Sequence, residues 1–334
     1  IKKMNNLLLL NAVIIVVISV LTIYSATIHK TTLFYKREAF WGIIGIFVYL
    51  FFSFIDYRKY AKYYKLIYIL NILILLSVYV VGVKRLGAQR WIDLGPISIQ
   101  PSEIGKILVI LTFSEFLVSK YRDRFIGLKS VLISFLHILP VFLLILKQPD
   151  LGTALILMMT YFVLIFIHGI DWKSIIIMVI TGIVSVPTAF FFFLKDYQKQ
   201  RVLTFLNPEA DLLGSGWNVT QSMIAIGSGG LYGKGFLNST QSKLRFLPEA
   251  HTDFIGSVFL EERGFIGGIV LLGLYLILIL QIVYIADTTE DKYGRLVCYG
   301  IASIFLFHLI INVGMIMGIM PVTGKPLLLM SYGG

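Results

Sequence analysis

The sequence predicts an all-α polytopic membrane protein with about ten transmembrane helices, nine of them complete in this chain. Of its 334 residues, 57% are hydrophobic and only 14% are charged, and the mean hydropathy is +0.86. Apolar runs of roughly 18 residues or more recur along the chain, which is the length that an α-helix needs to cross a bilayer. The pattern therefore indicates membrane-spanning helices rather than a soluble core.

The remaining composition excludes several classes of function. A net charge of +11 is compatible with nucleic-acid binding, but membrane proteins also concentrate Lys and Arg in cytoplasmic loops. We therefore expect no nucleic-acid partner. The single cysteine, Cys298, lies inside an apolar run and can form neither a disulfide framework nor a cysteine metal site within the chain. The five histidines are scattered, without the spacing of a zinc site.

Nine apolar runs are predicted to be spans of one transmembrane domain covering residues 1–334. They are 7–28, 38–55, 66–83, 100–119, 131–147, 151–169, 174–194, 265–286 and 296–320. One alternate set of short connecting segments carries more Lys and Arg than the other, which predicts a cytoplasmic N-terminus and a large outer loop at 195–253. Because the chain starts with Ile and stops after Ser331-Tyr-Gly-Gly334, a tenth span is expected beyond it.

The fourth span carries charges close to its beginning. To cross the membrane before Lys120 it must begin near Gln100, which places Glu103 and Lys106 in its first turns. Three residues apart, these side chains share a helix face and can pair. They form either a buried ion pair or a pair at headgroup depth with only a capping role.

Two shorter connecting segments contain charged or aromatic residues that a simple turn does not require. Segment 84–103 includes Arg90 and Trp91, and it is either functional or an interfacial anchor with Trp and Arg at headgroup level. Lys147-Gln-Pro-Asp150 leaves no room for a loop between spans five and six, so it is a tight turn or a break in a hairpin.

The outer loop 195–253 is far longer than a typical connection. Its apolar runs predict short helices at the membrane surface. The glycine-rich run Gly227-Ser-Gly-Gly-Leu-Tyr-Gly-Lys-Gly235 departs from the phosphate-binding P-loop at two positions, Ser228 and Gly235. Either its backbone cradles a phosphate or its glycines only permit tight turns.

Acidic residues cluster where the chain returns to apolar sequence, in Phe246-Leu-Pro-Glu-Ala-His-Thr-Asp253 and in Glu261-Glu262-Arg-Gly264. Carboxylates at a membrane boundary are costly and often functional. The alternative is that Thr252 or Asp253 only caps the next helix. A helix from residue 254 to 286 would be too long for a bilayer, so we expect it to project or to break near Gly264.

Several segments, in order along most of the chain, carry a resemblance to a known family. They are Gly87 to Gly95, Gln100 to Lys106, Gln148 to Thr153, Arg201 to Pro208, Gln221 to Gly235, Thr240 to Ile255, Glu261 to Gly264, Pro321 to Gly324 and Ser331 to Gly334. The chain resembles the SEDS proteins (shape, elongation, division and sporulation), and their RodA branch more than their FtsW branch.

The resemblance implies a glycosyltransferase of the bacterial plasma membrane that polymerises lipid II for cell-wall elongation and cell shape. It implies a class B penicillin-binding protein as partner. The predicted contact is made by spans eight and nine and the outer loops, where small-residue faces allow close helix approach, namely Gly264, Gly267, Gly268, Gly314 and Gly318. The family's essential aspartate falls on Asp253, and its Glu/Lys pair falls on Glu103 and Lys106. This chain departs from the family pattern at Trp217-Asn218, Ser239, Gly256 and Lys325. None of these residues is expected to touch the aspartate, but they bear on the shape of the pocket around it.

The residues suit such chemistry. A base must deprotonate the acceptor hydroxyl, and cations must stabilise the departing diphosphate. Asp253 is the predicted base, and Mg²⁺ or Mn²⁺ could help to hold the diphosphate. The substrate-binding candidates are Arg90, Trp91, Arg201, Lys234, Lys243, Arg245 and Glu262. A lipid II transporter and a non-catalytic scaffold of the wall-synthesis complex are the alternatives.

Overall fold

A computed structural model describes residues 6–29, 33–85, 88–95, 97–121, 125–194, 196–207 and 214–333. The predictions on Gly87, Pro208 and Gly334 lie outside these residues. So does part of the predicted outer loop, at 195 and 208–213.

Helices dominate the described chain. They are α1 (Asn6–Thr27), α2 (Leu33–Ser53), α3 (Arg58–Lys62), α4 (Tyr64–Val81), α5 (Pro101–Tyr121), α6 (Leu128–Lys147), α7 (Leu151–His168), α8 (Trp172–Thr188), α9 (Asp196–Leu206), α10 (Ser215–Gly229), α11 (Thr240–Lys243), α12 (Ile255–Thr288) and α13 (Lys292–Ile316). A π-helical turn, Ala189–Phe193, extends α8.

Each of the nine predicted spans coincides with one long helix, so the all-α membrane fold is confirmed. Within the described residues, seven helices are long and apolar enough to cross a membrane. The other two, α2 and α5, carry ionisable residues close to their beginnings, including Glu38 in α2 and Glu103 and Lys106 in α5. The protein is therefore a multi-pass membrane protein.

A small antiparallel sheet was not predicted. It occupies the connector after α4 and consists of β1 (Val83–Arg85), β2 (Ala88–Leu94) and β3 (Ile97–Ile99), in that order. Gly95, with φ 73°, allows the turn between β2 and β3. The side chain of Gln89 donates to the carbonyls of Val78 and Gly82, so the sheet also satisfies carbonyls at the end of α4. Two of the three strands, β1 and β3, have only three residues each, which is too short to show an alternating pattern in the sequence.

The chain forms two compact units. The first contains residues 1–55, 193–281 and 305–334. Within it, polar side chains of α1 bind the backbone of distant segments. Asn11 donates to the carbonyl of Leu274 at 3.0 Å, and Ser19 donates to that of Met330 at 2.7 Å. These bonds join α1 to α12 and to the segment after α13 inside the apolar packing.

The second unit contains residues 56–192 and 282–304. Its helices approach one another closely at small residues. Gly105 of α5 lies against Asn71 of α4, whose amide donates to the Gly105 carbonyl at 3.3 Å. Gln148, in the turn after α6, donates to the carbonyl of Leu75 at 3.0 Å. The predicted tight turn between spans five and six is confirmed, because α6 ends at Lys147 and α7 begins at Leu151.

The predicted break in the long helix is also confirmed. Gly264 has φ 67° and ψ −166°, which interrupts the helical backbone inside α12. A side chain there would have a Cβ 2.3 Å from the backbone nitrogen of Gly233. Glycine is therefore required at Gly264 both by its dihedral angles and by the close passage of the 230–235 loop.

Candidate active site

Asp253 lies in the turn that immediately precedes α12, in the first unit. Its backbone carbonyl accepts a hydrogen bond from the amide of Asn312, at 2.9 Å, and its side chain is half-buried. Asn312 is a fully buried residue of α13. A buried amide therefore fixes the backbone that carries the carboxylate. The hydroxyl of Thr252, the alternative cap, donates to Glu249.

The surroundings of Asp253 oppose its ionisation on balance. Removal from water raises the pKa of the Asp253 carboxyl to about 6, and the negative charge of Glu249 also raises it, whereas the positive charges of Lys325 and Arg201 lower it. Burial is the largest of these effects. A carboxyl group with a pKa near neutrality can accept a proton from a substrate and later release it.

Arg201 is the one substrate-binding candidate whose charge acts on Asp253. It extends from α9, is exposed, and donates to the carbonyl of Val322 at 3.2 Å. This bond holds α9 against the segment after α13. An exposed guanidinium beside a half-buried carboxyl group is suited to binding an anionic oxygen of a substrate.

The glycine-rich run does not form an open phosphate cradle in this structure. The backbone amides of Gly233, Lys234 and Gly235 donate to the carbonyls of Gly229, Glu261 and Glu262 at 2.8, 3.0 and 3.0 Å. A Cβ at Gly233 would lie 2.1 Å from the Glu262 carbonyl oxygen. Of the two interpretations of this run, close turns therefore fit the geometry, because the loop packs against α12 beside its break.

Lys234 is engaged with a buried carboxylate. Its ammonium lies 2.7 Å from Glu261, whose side chain is 0% exposed. The same carboxylate accepts hydrogen bonds from the hydroxyl of Ser239 at 2.6 Å and from the backbone and hydroxyl of Thr240. The pair therefore holds the 234–240 loop to α12. A direct role of Lys234 in binding diphosphate stays a prediction.

The remaining candidates of the first unit differ in exposure. Glu262 is buried and accepts a hydrogen bond from Ser25 of α1, so it is placed for packing. Lys243, at the end of α11, and Arg245, in the turn that follows, are exposed and lie shortly before Asp253 in the chain. Their side chains are accessible to a substrate, which a buried residue such as Glu262 is not.

The second unit contains the predicted ion pair. Lys106 lies 2.7 Å from Glu103, and their side chains are 2% and 31% exposed. Glu103 follows Pro101 in the first turn of α5, where a negative charge is favoured by the helix dipole. The pair of Glu103 with Lys106 and the start of α5 at Pro101 confirm what the sequence predicted. A role of the pair in activation stays a prediction.

Asp150 is a neighbouring carboxylate that the sequence analysis did not select. It is 1% exposed and caps α7 by accepting from the Thr153 amide at 3.1 Å. It also accepts from the Thr153 hydroxyl and from Gln100, both at 2.8 Å. The Thr153 hydroxyl lies 3.4 Å from Glu103, so this aspartate and the ion pair belong to one polar cluster. The position of Asp150 just before an apolar run was a capping signal.

Arg90 and Trp91 lie in β2 of the same unit. Arg90 donates from Nε to the carbonyl of Gln148 at 3.1 Å and from Nη2 to that of Pro149. It therefore holds the turn that leads to Asp150. Trp91 is paired with Val83 across the sheet. Substrate binding by either residue stays a prediction.

Lys325 is a residue of the first unit that was not among the predicted site residues. It was noted only as a departure from the family pattern that bears on the shape of the pocket. In the structure, the charge of Lys325 acts on the Asp253 carboxyl group, and its backbone shares the amide of Asn312 with Asp253. A lysine in an apolar segment was the available signal.

A comparison with protein families matches residues 3–334 to the cell cycle protein family FtsW/RodA/SpoVE. Among curated proteins, the chain is 43% identical to peptidoglycan glycosyltransferase MrdB of Escherichia coli (strain K12), over 78% of this chain and 70% of the relative. It is 34% identical to peptidoglycan glycosyltransferase RodA of Treponema pallidum, over 100% of this chain and 94% of the relative.

Solved structures show the same fold. A chain of a peptidoglycan synthase complex that coordinates polymerization and crosslinking superposes with a TM-score of 0.84 and 30% identity, covering 100% of this chain and 93% of that one. The rod shape determining protein RodA of Thermus thermophilus superposes with a TM-score of 0.72 and 28% identity, covering 98% of this chain and 89% of that one.

Proposed function

The chain belongs to the FtsW/RodA/SpoVE family of cell cycle proteins and is a peptidoglycan glycosyltransferase, and we propose that it polymerises lipid II in the bacterial plasma membrane. The product is a glycan strand for cell-wall elongation, and undecaprenyl diphosphate is released. The observation that carries the proposal is Asp253, a half-buried carboxyl group with a pKa of about 6 beside two cations. We further propose that the N-terminus is cytoplasmic, so that Asp253 faces outward.

The proposed reaction joins two lipid-linked sugars. The Asp253 carboxylate takes the proton of the acceptor hydroxyl while that oxygen forms a bond to the anomeric carbon of the donor. The bond from this carbon to the diphosphate oxygen breaks, and the electron pair leaves with the diphosphate. Arg201 would stabilise the negative charge of the leaving group, and its effect on the Asp253 carboxyl group supports this role.

Lys243 and Arg245 supply further accessible positive charge in the same unit. Among the described residues, no three His, Cys, Asp or Glu side chains form a group that could hold a metal ion. A role of Mg²⁺ or Mn²⁺ stays a prediction, and such an ion would supply positive charge that stabilises the diphosphate.

The direct test uses purified protein and lipid II. Wild-type protein should convert lipid II into polymer, and Asp253→Asn should form none while keeping its thermal unfolding midpoint within a few degrees. Asp196→Asn is a matched control, because Asp196 is an exposed aspartate at the beginning of α9. Polymerisation by Asp253→Asn at the wild-type rate would refute the assignment. Movement of lipid II across vesicles without polymer would favour the transporter.

We also propose a class B penicillin-binding protein as partner, since a solved relative belongs to a complex that coordinates polymerization and crosslinking. The glycines predicted for this interface pack within the chain itself. A Cβ would meet Met320 at 2.9 Å from Gly314 and Met223 at 2.9 Å from Gly318. Substitutions there would disturb folding, so co-purification of the unmodified chain with a co-expressed transpeptidase is the test. Absence of a stable complex would contradict the proposal.

A further inference from the structure

Lys325 is a buried cation in an apolar segment. Its side chain is 2% exposed, and it follows α13 between Gly324 and Pro326. An ammonium group removed from water is strongly unfavourable unless a negative charge or good acceptors compensate it.

The backbone around Lys325 is attached to the backbone of Asp253. One buried amide, that of Asn312, donates to the carbonyls of Asp253 and Lys325 at 2.9 and 2.8 Å. Gly324, with φ 65°, passes so close that a Cβ there would lie 3.3 Å from Oδ2 of Asp253. On the other side, His308 bonds to the Pro326 carbonyl at 2.9 Å. The lysine is therefore carried by a segment that is fixed at the carboxylate.

Three charged side chains act on Asp253, and they differ in burial. Glu249, on the turn before it, and Arg201, on α9, are exposed, whereas Lys325 is buried. Solvent and salt screen exposed charges much more than buried ones. Among these three, Lys325 therefore has the most effective charge at this carboxylate, and it opposes the effect of burial.

We propose that Lys325 is a positioning residue of the transfer reaction, whose buried ammonium keeps Asp253 ionised at neutral pH and so available as a base. This inference rests on the proposed function, because it assumes that Asp253 takes the acceptor proton. It adds a residue whose role is electrostatic. Lys325 need not touch the substrate for this role.

The experiment compares pH–rate profiles of lipid II polymerisation for wild type, Lys325→Met, Lys325→Gln and Lys325→Arg. Without the ammonium, the effect of burial on Asp253 is less opposed, so its pKa should rise. For Lys325→Met, the pH at which the rate is half-maximal on the acid side of the profile should rise by about one unit. At pH 6.5 this shift corresponds to about a threefold loss of rate. At pH 8.5 its rate should approach that of wild type, and Lys325→Arg should keep the wild-type limb.

A matched control is Lys173→Met, which removes an exposed lysine and should leave the profile unchanged. A Lys325→Met rate that is lower by the same factor at every pH, or an unmoved limb, would overturn the inference. If both neutral variants fail to fold while Lys325→Arg folds, the lysine is structural and the inference is wrong. Asp253→Asn in the same assay tests the base itself, so failure of the proposed function is distinguished from failure of this inference.

Discussion

Asp150 and Asp253 are both aspartates that precede a helix, yet the protein holds them in opposite ways. The Asp150 carboxylate is buried and accepts hydrogen bonds from a backbone amide, a hydroxyl and a glutamine amide. For Asp253, a buried amide holds the backbone carbonyl, while burial raises the pKa of the carboxyl group to about 6. The oxygens of Asp150 are engaged by donors inside the protein, whereas the carboxyl group of Asp253 has a pKa close to neutrality.

The difference explains why only one of them suits base catalysis. The Asp150 carboxylate is occupied by hydrogen bonds that hold the start of α7, whereas burial raises the pKa of Asp253 towards neutrality, where a carboxylate is an effective base. Asp150 therefore suits a structural role in its unit, as a cap of α7 and a partner of Thr153 and Gln100. Asp253 suits proton transfer. Four predictions test this contrast, and they follow from the largest expected effect to the smallest.

The ion pair beside Asp150 should be structural, and Glu103→Ala should lower the free energy of unfolding by about 3 kcal/mol. It leaves the buried ammonium of Lys106 without its neighbour at 2.7 Å. Lys106→Ala should be milder, because Glu103 is partly exposed and can be solvated. The charge-swapped double variant should recover part of the loss. Thermal unfolding in detergent measures all three, and wild-type midpoints for both single variants would refute the buried pair.

Asp150→Ala should lower the free energy of unfolding by about 2 kcal/mol, through the lost cap and the unsatisfied donors of Thr153 and Gln100. Asp150→Asn keeps an acceptor for the cap and should be less damaging. Its polymerisation rate per folded molecule should stay near that of wild type. A folded Asp150→Asn variant without activity would show that Asp150 is not purely structural and would contradict its distinction from Asp253.

Glu261 should have a structural role, as Asp150 does, rather than a catalytic role like that of Asp253. Lys234→Met removes one of several partners of this buried carboxylate and should cost about 1 kcal/mol. Lys173→Met is again the control for loss of an exposed lysine. If Lys234→Met were fully stable but raised KM for lipid II, Lys234 would instead bind the diphosphate.

Asp253→Asn should unfold at a slightly higher temperature than wild type at pH 7.5. The pKa of Asp253 is raised from about 4 to about 6 on folding, so the folded state binds the proton more tightly. The stability of wild type therefore falls as pH rises through this window, and it stays lowered above about pH 6. The advantage of Asp253→Asn should shrink towards pH 5. An advantage that does not change with pH would contradict the raised pKa.

The helices could be predicted because hydrophobic length is a local property of the sequence. The nine spans, the start of α5 near Gln100, the pair of Glu103 with Lys106 and the break at Gly264 all follow from composition, spacing or length. The sheet at 83–99 was missed because its strands are short.

The partners of individual side chains could not be predicted, since they depend on contacts between distant segments. Arg90 and Lys234 were chosen for their charge, but the structure binds them to carbonyls of the 148–149 turn and to Glu261. Asn312 joins Asp253 to Lys325 from 59 and 13 residues away. Distances between segments that are far apart in the chain cannot be read from the sequence. For this reason Lys325, whose charge acts on the predicted base, was not selected as a site residue.

The pH dependence of kcat/KM for polymerisation tests the central claim most directly. With lipid II well below KM, the rate of the wild-type enzyme should rise through a single step centred at about pH 6, as the Asp253 carboxyl group of the free enzyme loses its proton. Asp196→Asn should show the same step, and Asp253→Asn should show no reaction between pH 5 and 8. A wild-type rate that is constant across this range, or a step that persists in Asp253→Asn, would contradict the assignment of Asp253 as the base.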